Sequence, residues 1–205
     1  MSQTLVVRYT PREHSNTAKL LSAVMARLGS QHQPDVLDLV ATPVQQHSSA
    51  TINALLKRNF GGQTLSAAEQ AVVNAPDSVM QRLLHADRIV LAFPFYNFSV
   101  PAAVKAWLDA VIQKGKTFDI SGNGQFEGLC HGKKALILMT SGGDYGQPAT
   151  EAMNLATPLV QNCFSLLGVE SRAVSAMGMD VYPGQSGTIL EKAVTDAADA
   201  LDWMA

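Results

Sequence analysis

The chain has 205 residues, of which 47% are hydrophobic and 16% charged, and its formal net charge is −2. This length suits one domain, which we assign to residues 1–205, and the composition excludes a disordered or membrane-embedded chain. The balanced charge leaves no basic stripe, so neither nucleic acid nor a membrane surface is an expected partner.

Targeting and redox features point to the cytoplasm. No apolar run approaches the ~20 residues that a bilayer-spanning helix needs, and no secretory signal segment is expected at the N-terminus. The two cysteines, Cys130 and Cys163, form no CxxC motif. They suit a reducing compartment, and Cys163 is expected to be a small core residue.

Strands and helices are predicted to alternate along the chain. The first strand covers residues 5–7, and a helix begins near Ser15. The later strands are predicted at 36–40, 89–93, 135–139 and 169–176, and the later helices at 77–85, 100–112, 150–167 and 189–201. This alternation predicts an α/β fold with one doubly wound, five-stranded parallel sheet.

Two segments interrupt the alternation. Residues 44–76 are polar, with helical fragments and a break at Gly61-Gly62, and we assign them no complete element. Residues 114–132 are rich in glycine, and Asn123-Gly124 predicts a hairpin or flap.

Three loops leave the predicted carboxyl ends of strands: residues 9–17, 94–99 and 140–146. Open α/β sheets bind ligands outside those ends, near the point where the strand order reverses. The three loops are therefore the predicted walls of a single ligand site.

The first loop suits a phosphate group. Thr10 precedes Ser15-Asn16-Thr17 at a helix start, where unpaired N–H groups and the helix dipole favour an anion. The chain has neither GxGxxG nor GxxxxGK[ST], which argues against a dinucleotide on a Rossmann turn and against a nucleoside triphosphate. Alternatively, Ser15 only caps the helix.

The second loop carries an unusual number of aromatic residues. Pro94 ends the strand, and Phe95, Tyr96, Asn97 and Phe98 follow before the next helix. Such a turn beside a central strand suits a flat ligand. Backbone N–H and C=O groups of the turn could recognise the polar edge of that ligand. The alternative is that Phe95 and Phe98 point inward, as we expect for at least one of them.

The third loop contains Ser141, Gly142 and Gly143, followed by Tyr145. Its glycines would let the backbone approach a ring closely. Tyr145 could cover that ring or hydrogen-bond to it, and an ordinary turn is the competing interpretation.

The second loop and the residues after it resemble one family. The run 94–98, followed by Pro101, Lys105, Trp107 and Asp109, resembles the azoreductases, which are FMN-dependent NADH:quinone oxidoreductases of the flavodoxin-like superfamily. Segments 115–118, 127–129 and 132–135 resemble the same family in the same order. Two departures from the family pattern concern substrate choice. Ser141 is followed directly by Gly142, whereas some members have an additional residue, often Arg, between the serine and the glycines. Residues 44–76 have no close match in the family.

The resemblance implies a flavodoxin-like sheet of order 2-1-3-4-5 with helices on both faces. It also implies FMN as cofactor, NADH or NADPH as electron donor, a quinone or azo acceptor, and a homodimer with active sites at the interface. The residues that match the cofactor site are Thr10, Ser15, Asn16, Thr17, Pro94, Phe95, Tyr96, Asn97, Phe98, Ser141, Gly142 and Gly143. Asn97 and Phe118 match the substrate pocket.

The implied chemistry is flavin-borne, so no side chain is assigned as catalytic with the exception of Tyr145 as a candidate. Arg12 and His14 could balance a phosphate charge. The other histidines (His32, His47, His85 and His131) have no ligand spacing, and no metal is expected. Two alternatives remain: an FMN-binding electron carrier without direct NAD(P)H oxidation, and a flavin-free hydrolase or binding module, although Ser141 lacks a GxSxG context.

Overall fold

In the computed structural model, residues 3–29 and 33–204 are described. The strands are β1 Thr4–Arg8, β2 Asp35–Asp38, β3 Arg88–Pro94, β4 Phe118–Ile120, β5 Phe126–Gly128, β6 Lys134–Thr140 and β7 Glu170–Ala176. The helices are α1 Asn16–Leu28, α2 Ser49–Asn59, α3 Ala67–His85, α4 Ala102–Val111, α5 Ala156–Leu167 and α6 Ser186–Met204. Among the described helices, none is both long enough and apolar enough to cross a membrane.

One parallel sheet organises the chain in the order β2-β1-β3-β6-β7. The predicted strand order is therefore confirmed, because the five predicted strands correspond to these five. β4 and β5 pair separately as an antiparallel hairpin, which confirms the hairpin predicted from Asn123-Gly124. Since the five strands are parallel, their carboxyl ends meet at one edge of the sheet.

Side chains alternate between the two faces of the sheet, as the strand pleat requires. Val6, Val90 and Leu136 pack in a core cluster with residues of α1 and α6. Leu5, Leu91 and Ile137 pack in the other cluster, with residues of α3, α4 and α5. Strands buried on both faces read as continuous apolar runs, and for this reason the sequence shows them clearly.

The predicted start of α3 at residue 77 is wrong, because the helix begins ten residues earlier, at Ala67. Pro76 lies buried inside the helix, near buried Val73, at a position where a proline ordinarily kinks or ends a helix. Packing against α2 and α4 outweighs the hydrogen bond that the proline lacks. The overlooked signal is the capping box formed by Ser66 and Glu69.

Other boundaries differ by smaller amounts. The predicted helix at 150–167 is a 3₁₀ turn at Glu151–Met153 followed by α5, since the Leu155 N–H donates to the Phe98 carbonyl (2.9 Å) instead of continuing a helix. Val100 precedes α4 rather than belonging to it, although its side chain is buried. Cys130 is buried and Cys163 half-buried, and both are free thiols.

The unassigned segment forms a helical hairpin tied to the rest of the domain. Arg58 of α2 pairs with Asp77 of α3 through nitrogen–oxygen distances of 2.6 and 2.9 Å, and it also donates to Gln113 Oε1 after α4 (2.9 Å). The hydrogen bond from Arg58 to Asp77 raises the pKa of the guanidinium. The segment is thus a folded part of the domain.

Glu69 is expected to make stability acid-sensitive. Its carboxylate accepts hydrogen bonds from Lys57 Nζ and the Ser66 N–H, each at 2.7 Å, and these contacts lower its pKa from 4.5 to about 2. A carboxyl whose pKa is depressed on folding contributes stability that is present above its unfolded pKa and lost as pH falls through its folded pKa. In urea titrations at stepped pH, the advantage of wild type over Glu69→Gln should shrink as pH falls from 4.5 to about 2.

Lys57→Met removes the hydrogen bond that contributes most to the lowered pKa of Glu69. It should therefore narrow the pH range over which the advantage of Glu69 over Gln is lost. An advantage that stayed constant down to pH 2 would contradict the assignment.

Candidate cofactor site

The loops after β1, β3, β6 and β7 meet around a cavity of about 200 Å³ at the carboxyl edge of the sheet. Its lining residues are Pro11, Arg12, Ser15, Asn16, Thr17, Pro94, Phe95, Tyr96, Thr140, Ser141, Gly142, Met179 and Asp180. The three loops singled out in the sequence therefore converge, and a fourth loop joins them.

Most of the predicted cofactor residues line this cavity. Ser15, Asn16, Thr17, Pro94, Phe95, Tyr96, Ser141 and Gly142 belong to its wall. Thr10, Asn97, Phe98, Gly143 and Tyr145 lie in the same loops but outside the lining. His14, in the first loop, also lies outside it, whereas Arg12 is part of the wall.

The start of α1 presents unpaired N–H groups to the cavity. Ser15 Oγ accepts a hydrogen bond from the Ala18 N–H (3.2 Å), which confirms that Ser15 caps the helix. The Thr17 hydroxyl is buried and lies 2.6 Å from the Thr140 hydroxyl, so it joins α1 to the end of β6. In the part of the chain that the structure describes, the Asn16 and Thr17 amides have no protein acceptor.

The aromatic loop is a tight turn with a strained backbone. Tyr96 and Ser99 exchange N–H···O hydrogen bonds of 3.0 and 2.9 Å. Asn97 and Phe98 between them have φ of 45° and 70°, as in a type I′ turn. Asn tolerates this region, whereas Phe occupies a position that favours glycine, and such strain concentrates at functional sites.

Aromatic rings cluster at this turn. Phe95 and Tyr145 lie with ring centroids 4.5 Å apart, and Phe98 meets Tyr145 edge-on at 6.0 Å. Phe95 packs against the core, which confirms that at least one phenylalanine points inward, whereas Tyr96 and Phe98 are each 42% exposed. The exposed rings form an apolar surface beside the cavity.

The loop after β6 is joined to the loop after β7 by backbone hydrogen bonds. The Gly142 carbonyl accepts from the Asp180 N–H (3.0 Å), and the Gly143 carbonyl accepts from the Gly178 N–H (2.9 Å). The Gly142 and Gly143 amides themselves donate to no acceptor among the described residues. The loop after Ser141 therefore offers two fixed N–H donors to a ligand.

Asp144 holds this loop in shape. Its carboxylate accepts from the Gly146 N–H (2.9 Å), the Tyr182 hydroxyl (2.7 Å) and Gln147 Nε2 (2.9 Å). These three hydrogen bonds lower the pKa of the carboxyl, and the bond to Asp144 raises the pKa of Tyr182. Tyr145, the next residue, packs against Phe95.

Sequence reasoning missed Met179 and Asp180. Both follow β7, whose predicted strand already ended at Ala176, so the rule that ligands bind at carboxyl strand ends could have included them. Their loop contains Gly178 and Tyr182, so the combination of glycine and tyrosine that drew attention to the third loop was present here as well.

Phe118 lies elsewhere, in the wall of a second cavity of about 600 Å³. This cavity lies between α2, α4 and the β4–β5 hairpin, and Asn97 does not line it. Lys105 and Asp109, which form an ion pair one turn apart on α4, also line this cavity. Within one chain, the structure thus separates the two predicted substrate-pocket residues.

In the described part of the chain, no three His, Cys, Asp or Glu side chains converge as a metal site would require. His32 lies outside the described residues.

Comparison with known proteins defines the class of protein. The model of the flavodoxin-like fold family matches residues 2–201. A relative from Bordetella bronchiseptica, an FMN-dependent NADH:quinone oxidoreductase, is 32% identical over 192 residues, covering 90% of this chain and 88% of that protein. One of the same name from Alkalilimnicola ehrlichii is 35% identical over 157 residues, covering 75% and 73%.

Solved structures agree with this assignment. An azoreductase from Bacillus anthracis superposes with a TM-score of 0.89 at 25% identity, covering 98% of each chain. An FMN-dependent NADH-azoreductase from the same species, solved with FMN, superposes with a TM-score of 0.87 at 21% identity over 100% of each chain and supports the fold. The chain therefore belongs to the family of FMN-dependent NADH:quinone oxidoreductases and azoreductases within the flavodoxin-like fold.

Proposed function

We propose that this chain is an FMN-dependent NAD(P)H oxidoreductase that reduces quinones, azo compounds or both. It is an enzyme whose cofactor binds at the carboxyl edge of a doubly wound, flavodoxin-like sheet. The observation that carries the proposal is the convergence of three kinds of ligand-binding group on one cavity. These are the unpaired amides at the start of α1, an aromatic turn, and the unpaired amide of Gly142, with that of Gly143 next to it in the same loop.

The residues present fit FMN. The Asn16 and Thr17 amides and the Arg12 guanidinium suit its phosphate, since a helix N-terminus and a cation both favour an anion. The cavity of about 200 Å³ suits the phosphate and ribityl chain, and the ring would extend over the residues 95–98 and 142–143 beside it. Thr10 and Ser141 complete the proposed binding set.

When bound, FMN would supply the redox chemistry, accepting a hydride from NAD(P)H at N5 and passing it to the acceptor in a ping-pong cycle. The protein's part is orientation and charge stabilisation. Preorganised N–H donors at Gly142 and Gly143 would stabilise negative charge on the reduced ring, as an oxyanion hole does. Tyr145, held by Phe95, would cover one side of the site.

The test is an anaerobic titration followed by visible spectroscopy. Protein supplied with FMN should show a flavin band that NADH or NADPH bleaches rapidly, and added quinone or azo dye should restore it. A flavin band that neither nucleotide reduces would favour the electron carrier without direct NAD(P)H oxidation. Failure to take up FMN would reject both and favour a flavin-free protein.

We propose that two copies associate through α2 and α4. Ile52 and Leu56 lie one turn apart on α2, Phe60 follows at the C-terminal end of the helix, and the three side chains are 45%, 50% and 58% exposed. They border the cavity that contains Phe118, and a second chain seated there could complete a substrate pocket that one chain leaves divided. Such a row of large apolar side chains is typical of an interface.

Leu56→Glu should therefore yield a monomer in light scattering and reduce quinone turnover at least about tenfold, because an unpaired charge would be buried at the interface. Val40→Glu is the matched control, since Val40 is 47% exposed but lies after β2, outside this face. A Leu56→Glu protein that kept the association state of wild type would reject this surface.

We also propose a cytoplasmic location, which suits the free thiols of Cys130 and Cys163.

Asn97 tests the aromatic turn itself. Asn97→Gly keeps a residue that adopts φ near 45° readily and should retain FMN, whereas Asn97→Val places a β-branched side chain in the left-handed region. We expect Asn97→Val to weaken FMN binding about tenfold, measured by fluorescence titration of the apoprotein, since strain of this kind amounts to about 1–3 kcal/mol. Equal affinities of the two variants would mean that the turn conformation does not support the cofactor.

A further inference from the structure

Two charged side chains line the cofactor cavity, Arg12 and Asp180. Within residues 3–29 and 33–204, neither has a hydrogen bond or an ion pair through its side chain. Arg12 is explained by the phosphate of the proposed cofactor. Asp180 is not, because a carboxylate would disfavour an anionic ligand.

The backbone holds Asp180 beside the two free amide donors. The Asp180 N–H donates to the Gly142 carbonyl and the Met179 N–H to the Ser141 carbonyl, each at 3.0 Å. Asp180 Oδ2 lies 2.3 Å from the point that a Cβ on residue 142 would occupy. The carboxylate is therefore packed directly against Gly142, and the absence of a side chain there permits this approach.

The charge of the ligand changes during the proposed reaction. Hydride transfer from the nicotinamide adds two electrons and one proton to the flavin ring, so the ring gains one negative charge unless solvent supplies a second proton. The amides of Gly142 and Gly143 favour that charge, and the Asp180 carboxylate opposes it. Asp180 is exposed, so solvent screens this repulsion and its effect on the bound ring should be modest.

We propose that Asp180 is a residue that sets the reduction potential, lowering the midpoint potential of the bound flavin by destabilising its reduced, more negative form. This inference rests on the proposed function. A lower midpoint potential favours delivery of the electron pair to the acceptor over its retention on the flavin. Asp180 would thus balance the two glycine amides and keep the cofactor able to react in both halves of the cycle.

The test is spectroelectrochemistry of the FMN-loaded protein. Asp180→Asn keeps the size of the side chain and removes its charge. We expect it to favour the reduced over the oxidised bound flavin by about tenfold relative to wild type, which corresponds to a rise of about 30 mV for a two-electron couple. Asp180→Glu restores the charge and should return the potential towards the wild-type value.

Asp196→Asn is the control. Asp196 is exposed on α6, pairs with Lys192 and does not line the cavity, so its removal should leave the potential unchanged. An Asp180→Asn protein that binds FMN but has the wild-type potential, or a lower one, would overturn this inference and leave the proposed function intact. A wild-type protein that binds no FMN would overturn both.

Discussion

Replacing Gly128 with alanine is expected to destabilise the protein by about 3 kcal/mol, the upper part of the range for inserting atoms into a packed site. A Cβ on residue 128 would lie 2.2 Å from the Gly168 nitrogen and 2.4 Å from the Leu167 carbonyl carbon. Both atoms are backbone at the end of α5, so no side-chain rotation relieves the overlap. The β4–β5 hairpin must instead move away from α5.

That movement would break the hydrogen bond from the Cys130 N–H to the Leu167 carbonyl (2.8 Å) and expose Phe118, which is now 7% exposed. For a chain of this length, about 3 kcal/mol corresponds to a fall in Tm of roughly 6–12 °C. FMN uptake should survive, because no described residue of the hairpin lines the cofactor cavity.

Gly122→Ala is the matched control in the same hairpin, since a Cβ there meets no atom within 4 Å and the backbone φ is ordinary. Calorimetry of both variants separates a local overlap from a general effect of replacing hairpin glycines. Equal Tm values for Gly128→Ala and Gly122→Ala would show that the hairpin does not depend on this close approach.

Replacing Gly142 with alanine is expected to weaken FMN binding about 100-fold, or about 2.7 kcal/mol. The new Cβ would lie 2.3 Å from Asp180 Oδ2 and 3.1 Å from its carboxyl carbon. The carboxylate must then swing away from its position on the cavity wall, and the methyl group itself narrows the path to the Gly142 and Gly143 amides. Global stability should change little, because Asp180 is exposed and can move.

The double variant Gly142→Ala/Asp180→Ala tests the cause. If the overlap with Asp180 displaces the loop, removing that side chain should restore part of the lost affinity. Gly146→Ala is the control in the same loop, since its nearest contact would be an ordinary 3.4 Å. Fluorescence titration of each apoprotein with FMN provides the affinities. Wild-type affinity in Gly142→Ala would mean that the ring does not approach this backbone.

The parts of the fold that the sequence predicted share one property: their signal is local. Residues 89–93 and 135–139 are continuous apolar runs, because β3 and β6 are covered on both faces. Ser15 could be recognised as a cap because its hydroxyl acts on the next turn of the same helix. The hairpin after α4 was visible in Asn123-Gly124, since its turn type depends on two adjacent residues.

The missed parts depend on contacts between distant residues. Pro76 is a helix breaker locally, and only packing between α2, α3 and α4 makes it compatible with a continuous α3. The role of the Thr17 hydroxyl was predicted from its position at a helix start, but Thr140, 123 residues away, engages it. Asp180 carried no motif at all, and its place beside Gly142 arises from the pairing of β6 with β7.

The sequence alone therefore determined the class of sheet, its strand order by resemblance, and three of the four loops around the cofactor cavity. Hydrophobic periodicity and turn chemistry encode these features within short segments. Only the tertiary structure decided which groups of those loops remain free for a ligand and which are used by the protein. It also decided which charges face the cavity, because hydrogen-bond satisfaction and charge proximity depend on the partner that folding brings from elsewhere in the chain.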